Sequence, residues 1–147
     1  MRRVLGGGTR SFLLTLIPLV PPAILSNGSG PLVLHASDFS QVTAANPARP
    51  AEVFSIIATG LGPTNSAGDP GQPFPVSPLA VVNSPMAATL NGSAADVIYA
   101  GGYPGTTAAY QVNLRLPAGA QPGMAALQIT SAWLPSAPVQ IPVGSGN

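Results

Sequence analysis

From Pro31 onward, apolar side chains alternate with polar ones over short runs, and prolines recur too often for a long helix. Leu32 to His35 opens a first short strand. Glu52 to Thr59 (EVFSIIAT) is the strongest run and predicts a mostly buried strand closed by Gly60. Met86 to Leu90 leads into Asn91-Gly92, a pair suited to the positive φ angles of a type I′ hairpin turn. Ala95 to Ala100 is the return strand, with Val97 and Tyr99 on one face and Ile98 on the other. Ala109 to Leu116 alternates cleanly, placing Tyr110, Val112, Leu114 and Leu116 inward and Gln111, Asn113 and Arg115 outward. Met124 to Ser131 and Val139 to Val143 complete about seven strands. Short strands at this spacing, without helices, predict an all-β, immunoglobulin-like β-sandwich over roughly Leu32 to Val143.

The expected inward set is Val53, Ile56, Ile57, Leu90, Ile98, Tyr110, Val112, Leu114, Leu127, Ile129 and Val139. Ile56 and Ile57 are neighbours, so one of them must turn outward or pack beneath a loop. Two stretches read as connections. Gly60 to Ser84 carries Pro63, Pro70, Pro73, Pro75 and Pro78 and predicts a long, extended segment. Gly101 to Thr107 (GGYPGTT) predicts a tight crossing. Sandwich function usually lives in such end loops, which makes Phe74 and Tyr103 candidate partner-contact residues, joined by Trp133 for its large ring. The plainer role for Phe74 is to pin the long loop onto the sandwich.

Composition narrows the chemistry. The chain has 147 residues, 17 glycines and 18 prolines, but 46% hydrophobic content and a net charge of +1 argue against disorder. It has no lysine and no cysteine, and His35 is its one histidine. Thiol nucleophiles, disulfide frameworks and multi-histidine metal sites within one chain are thereby excluded. Arg2, Arg3 and Arg10 precede an apolar stretch from Phe12 to Leu25, and small residues follow from Ser26 to Gly30. That is the layout of a secretory signal, with cleavage expected between about Ser26 and Pro31. Residues 1–30 are thus read as a leader and 31–147 as one module; a misassigned start is the alternative. The apolar stretch holds three prolines and is shorter than the roughly 20 residues a membrane span needs. After Gly30, Arg49 and Arg115 are outnumbered by Asp38, Glu52, Asp69 and Asp96, so nothing attracts a nucleic-acid backbone.

His35, Ser37 and Asp38 invite a triad reading, but three near neighbours at a strand end are better explained as local turn bonding. Glu52 and Asp96 could form an acid pair, yet both occupy common solvated positions. Asn65, Asp69 and Asn83 carry oxygens suited to calcium, without the spacing of a compact calcium loop. Gly60-Leu61-Gly62-Pro63 has no helix after it to hold a phosphate and reads as a strand-ending turn. Trp133 and Tyr103 could stack on sugars, or serve as ordinary packing and loop residues. No catalytic residue, cofactor or metal is predicted.

Several phrases occur in a familiar order: HASDFSQVTAANPARPAE (35–52), ATGLGPT (58–64), GQPFPVSPL (71–79), TLNG (89–92), YAGGYPG (99–105), YQVNLRLPAG (110–119) and PSAPVQIPV (135–143). Together they resemble the acidobacterial, Solibacter-type C-terminal domain, an immunoglobulin-like module of unknown function that usually closes long exported proteins. The resemblance covers roughly Leu34 to Val143, and the Tyr-Gln-x-Asn-x-x-x-Pro strand ending is its most specific part. Ala51 stands where a glycine is usual, Thr106 where an aromatic is usual, and Ala137 where asparagine is usual. The resemblance implies no catalytic residues. It leads to the expectation of a non-catalytic structural or adhesive module, secreted or at the cell surface, whose partners are other extracellular domains or surface material. An extracellular carbohydrate- or small-ligand-binding module is the alternative.

Overall fold

The computed structural model describes residues 20–65 and 71–146. Residues 1–19 of the expected leader, and Asp69 of the long loop, lie outside the described residues. The strands are β1 (Ala23–Ile24), β2 (Ser26–Asn27), β3 (Gly30–Pro31), β4 (Val33–His35), β5 (Val53–Thr59) and β6 (Met86–Leu90). They continue with β7 (Ser93–Gly102), β8 (Tyr110–Arg115), β9 (Gly123–Ser131), β10 (Leu134–Pro135) and β11 (Val139–Val143). The described residues contain no helix, and so none long and apolar enough to cross a membrane.

All strand pairings are antiparallel, and the sheet curls over itself to make two layers. One layer runs β1 and β4 on one edge of β5, then β8, then the second half of β7. The other runs from the first half of β7 through β6 to β9, which carries β10 and β11 on its far edge. With β7 shared between layers, this is the strand order of an immunoglobulin-type sandwich. The fold is an all-β sandwich.

Alternation along the strands fills the space between the layers. Phe54 sits opposite Leu114, and Ile56 opposite Val112, all fully buried. From the facing layer come Ala88 opposite Ile129, Leu90 opposite Leu127 and Ala125 opposite Ile141. The Asn91-Gly92 turn has φ angles of 50° and 81°, as that dipeptide predicts. On β5, Ile57 turns to the opposite face from Ile56 and lies across from Gln111. Beside it, Ser55 is only 1% exposed, and its Oγ donates to Asn113 Oδ1 at 2.8 Å. Gln111 Nε2 donates to the same Asn113 oxygen at 2.9 Å, so this outer rung is polar but hydrogen-bonded.

Three expectations need correction. Val53 is half-buried across from Arg115, and the inward residue is its neighbour Phe54. Ile98, expected inside, is 52% exposed. A bulge between Val97 and Tyr99 inserts it as an extra residue, so Val97 meets Leu114 while Tyr99 meets Asn113 on the opposite face. The bulge therefore also separates Val97 from Tyr99, which simple alternation had put together. Among the described residues, sheet pairing starts at Ala23. Ile24 packs against the core and Pro22 is buried, which gives this segment an apolar reason to stay.

The register generates a paired test. Phe54→Ala should cost about 3–5 kcal/mol in chemical unfolding, while Ile98→Ser should stay within roughly 0.5 kcal/mol of the parent. Equal losses at both positions would mean that Ile98 is a core residue and the bulge is misplaced.

Candidate functional site

The ends of β5, β7 and β9 and the start of β8 meet at one end of the sandwich, as their antiparallel registers require. Three connections therefore gather there: the long loop after Gly60, the crossing after Gly102, and the turn after Ser131. Tyr110, the first residue of β8, stands between them. Its Oη donates to Gly62 O at 2.8 Å, and its half-burial pushes the phenol pKa up. On one side its ring meets Phe74, with centroids 5.2 Å apart at an interplanar angle of 58°.

Phe74 is held as well as stacked. Its amide donates to Thr106 O at 2.8 Å, and Gly105 N donates to Phe74 O at 3.0 Å. Its ring fills the place where a Cβ on Gly102 would stand, so only glycine at 102 lets the loop lie this close. Thr106 Oγ1 is bonded to both Tyr103 O and Ala109 O, which ties the crossing shut beneath it. Phe74 thus pins the long loop onto the sandwich. Tyr103 is half-buried in the crossing, where its amide donates to Ala109 O at 2.9 Å.

On the other side of Tyr110 lies an apolar groove of about 440 Å³, lined among others by Val20, Leu61, Pro63, Ala132 and Leu134. Ser131 Oγ donates to Leu61 O at 2.9 Å and fixes the groove floor. The turn at its rim is Ala132-Trp133, with φ angles of 49° and 65°. Neither residue has the glycine or asparagine chemistry that this conformation favours. Trp133 is 82% exposed. A bulky residue held left-handed, with its ring in solvent, costs stability and gains nothing from burial. The hairpin it makes, β9 to β10, was not expected from the sequence, because Ser-Ala-Trp-Leu carries no turn signal.

The remaining candidates resolve into structural roles. His35 is 3% exposed; its Nδ1 lies 2.6 Å from Glu52 Oε1, and its Nε2 lies 3.2 Å from Asn46 O. The carbonyl can only accept, so Nε2–H donates to it, and Nδ1 faces the Glu52 carboxylate. With both nitrogens engaged, the ring ties β4 and the start of β5 to the intervening loop. Glu52, expected to be a solvated strand-start residue, is the partner that sequence spacing did not reveal. Its other oxygen accepts from Arg49 N at 3.1 Å. Asp96 stands exposed across from Arg115. Asn65 Oδ1 accepts from Val81 N at 3.0 Å, a loop-closing use of an oxygen considered for calcium. Asp38 makes the local turn expected of it, accepting from Ser40 Oγ at 2.7 Å and Ser40 N at 2.9 Å.

Two outcomes follow from this geometry. Phe74→Ala should lower stability by about 2 kcal/mol, less than a full core truncation because the ring is half-buried. Thermal melting checks this, and an unchanged midpoint would free the loop from its pinning role. The second concerns acid. The Ser40 hydroxyl, then its amide, hold the Asp38 carboxyl below its ordinary value of 3.8. Its small contribution is therefore present above that value and lost as pH falls through the lower, folded one. Carboxyl-carbon NMR should place the Asp38 midpoint below 3.8, and Ser40→Ala should move it upward.

Compared with family models, with curated proteins and with solved structures, the chain finds no match.

Proposed function

We propose that the chain is a non-catalytic β-sandwich module of an exported or cell-surface bacterial protein, and that it attaches to its partner through the loop end. Trp133 carries this reading. An indole held left-handed on both its own and its neighbour's backbone, and left in solvent, represents strain of about 1–2 kcal/mol per residue. Strain of this kind persists where the surrounding structure holds it, and it clusters at binding sites and ligand clamps. Tryptophan is also among the residues that dominate binding energy when a partner desolvates them. Alongside it, the groove offers apolar surface with little charge, which suits attachment to another extracellular domain or to surface material.

Export is supported by the arginine-then-apolar layout of the N-terminus and by the resemblance to C-terminal modules of exported proteins. A structural role for His35 supports the non-catalytic reading, since neither ring nitrogen is open to a substrate. The groove volume of about 440 Å³ favours one second reading, a carbohydrate or small ligand lying against the ring.

Trp133 is the chain's single tryptophan, so its fluorescence reports this end alone. Binding to cell-envelope material, or to a soluble glycan in the second reading, should shift that emission to the blue. Replacing Ala132-Trp133 with Asn-Gly should relax the turn and raise the melting midpoint by about 4 °C. The same replacement should abolish attachment. A stabilised variant that still attached fully would remove the site from this end of the molecule.

A further inference from the structure

We propose that Pro21 to Leu25 belong permanently to the folded domain, so that any N-terminal processing cuts ahead of Pro21 and not between Ser26 and Pro31. One edge of β5 is shared by two short strands. β4 covers Phe54 to Ile56, and β1 covers Ala58 and Thr59. Ile57, between them, uses both of its backbone groups: its oxygen accepts from Leu25 N at 2.9 Å, and its amide donates to Leu32 O at 3.0 Å. Leu32 N in turn donates to Leu25 O at 2.7 Å, which closes the base of the β2–β3 hairpin. The two strands are therefore one edge strand, interrupted by an excursion from residue 26 to 31.

That excursion is anchored at the residues where a cut was expected. The side-chain amides of Asn27 and Gln41 exchange two hydrogen bonds, each of 3.2 Å, and Gln41 Nε2 also donates to Pro31 O at 2.9 Å. Upstream, Pro22 is buried, and a Cβ on Gly60 would stand 3.3 Å from Pro21 O. Gly60, at φ 76°, lets the chain leave β5 while Pro21 and Pro22 lie against it. A cut inside 26–31 would release β1. It would leave the Ile57 oxygen and the β5 edge beside β1 without the partners they have here, and uncover core surface now met by Ile24.

The test uses the full chain. Expressed in a bacterial host that exports it, the recovered protein is analysed by intact mass and N-terminal sequencing. A first residue at Pro21 or earlier is expected; any later start overturns the proposal. Independently, hydrogen exchange on the purified full chain should find the Leu25 and Ile57 amides exchanging roughly 100-fold or more slowly than in a free peptide. Exchange of both at free-peptide rates would also overturn it. Neither result depends on what the loop end binds, so failure here leaves the attachment reading standing.

Discussion

Strand β5 is bonded on both edges and covered on both faces, and the other elements are arranged by that requirement. Its inward residues Phe54, Ile56 and Ala58 meet the facing layer, while Ser55 and Ile57 are buried on the outer side. A strand so placed has no solvent to satisfy its backbone, so both edges need partners along their length. β8 supplies one edge in unbroken register from Val53 to Ala58. The other is assembled from β1, β4 and the bonds of Leu25 and Leu32 to Ile57. Positions far apart in the sequence are thereby fixed: residues 21–32 on one side, Tyr110 and the loop end on the other.

The outer edges of the two layers face the opposite problem, since open strand edges invite pairing with other chains. Charged edge residues are the usual defence, and this chain has few charges to spend. It uses loops instead. Val42 N bonds to Val33 O at 2.8 Å along β4, Val82 N to Ala100 O at 2.9 Å along β7, and Ala48 N to Pro142 O at 2.9 Å along β11. Val42 and Ala48 bury their side chains as they do so, as does Ala80, whose oxygen accepts from Gly102 N. The long connections of this Pro- and Gly-rich sequence are therefore sheet-edge covers as well as links. His35 belongs to the same scheme, because its bonds to Glu52 and Asn46 O hold the loop that provides two of the covers.

Features governed by local alternation were legible in the sequence, and features governed by contact across space were not. β6 and β11, the facing of β8 and the Asn91-Gly92 turn each depend on a few adjacent residues. The Ile98 bulge does not. Alternation through Val97, Ile98 and Tyr99 is regular in sequence, and the extra residue falls just after β7 changes its partner from β6 to β8. The His35–Glu52 contact spans a loop whose course no spacing rule encodes. Residues 21–30 have the composition of a leader, and their pairing appears only once β5 exists. Ala51 is an intermediate case. The structure holds it at φ 64° after Pro50, with Glu52 N bonded to Arg49 O at 3.2 Å, a turn in which glycine would be at ease.

The loop end joins two opposed tendencies. Phe74, Gly102, Tyr110 and Thr106 draw two connections tightly onto the sandwich, while the Ala132-Trp133 turn holds a large ring away from it. Were the whole end loose, the strained turn would relax by moving its neighbours. Instead Ser131 is tied to Leu61 O, Ala132 N bonds to Pro85 O at 3.0 Å, and Ser136 Oγ accepts from Ile129 N at 3.1 Å. These bonds fix both strands of the hairpin up to the two residues with unfavourable backbone angles. Rigid surroundings are what allow strain to persist, and they also lower the ordering cost of a contact made there. The side chain with most to gain from being covered is thus carried on the part of the end least free to adjust.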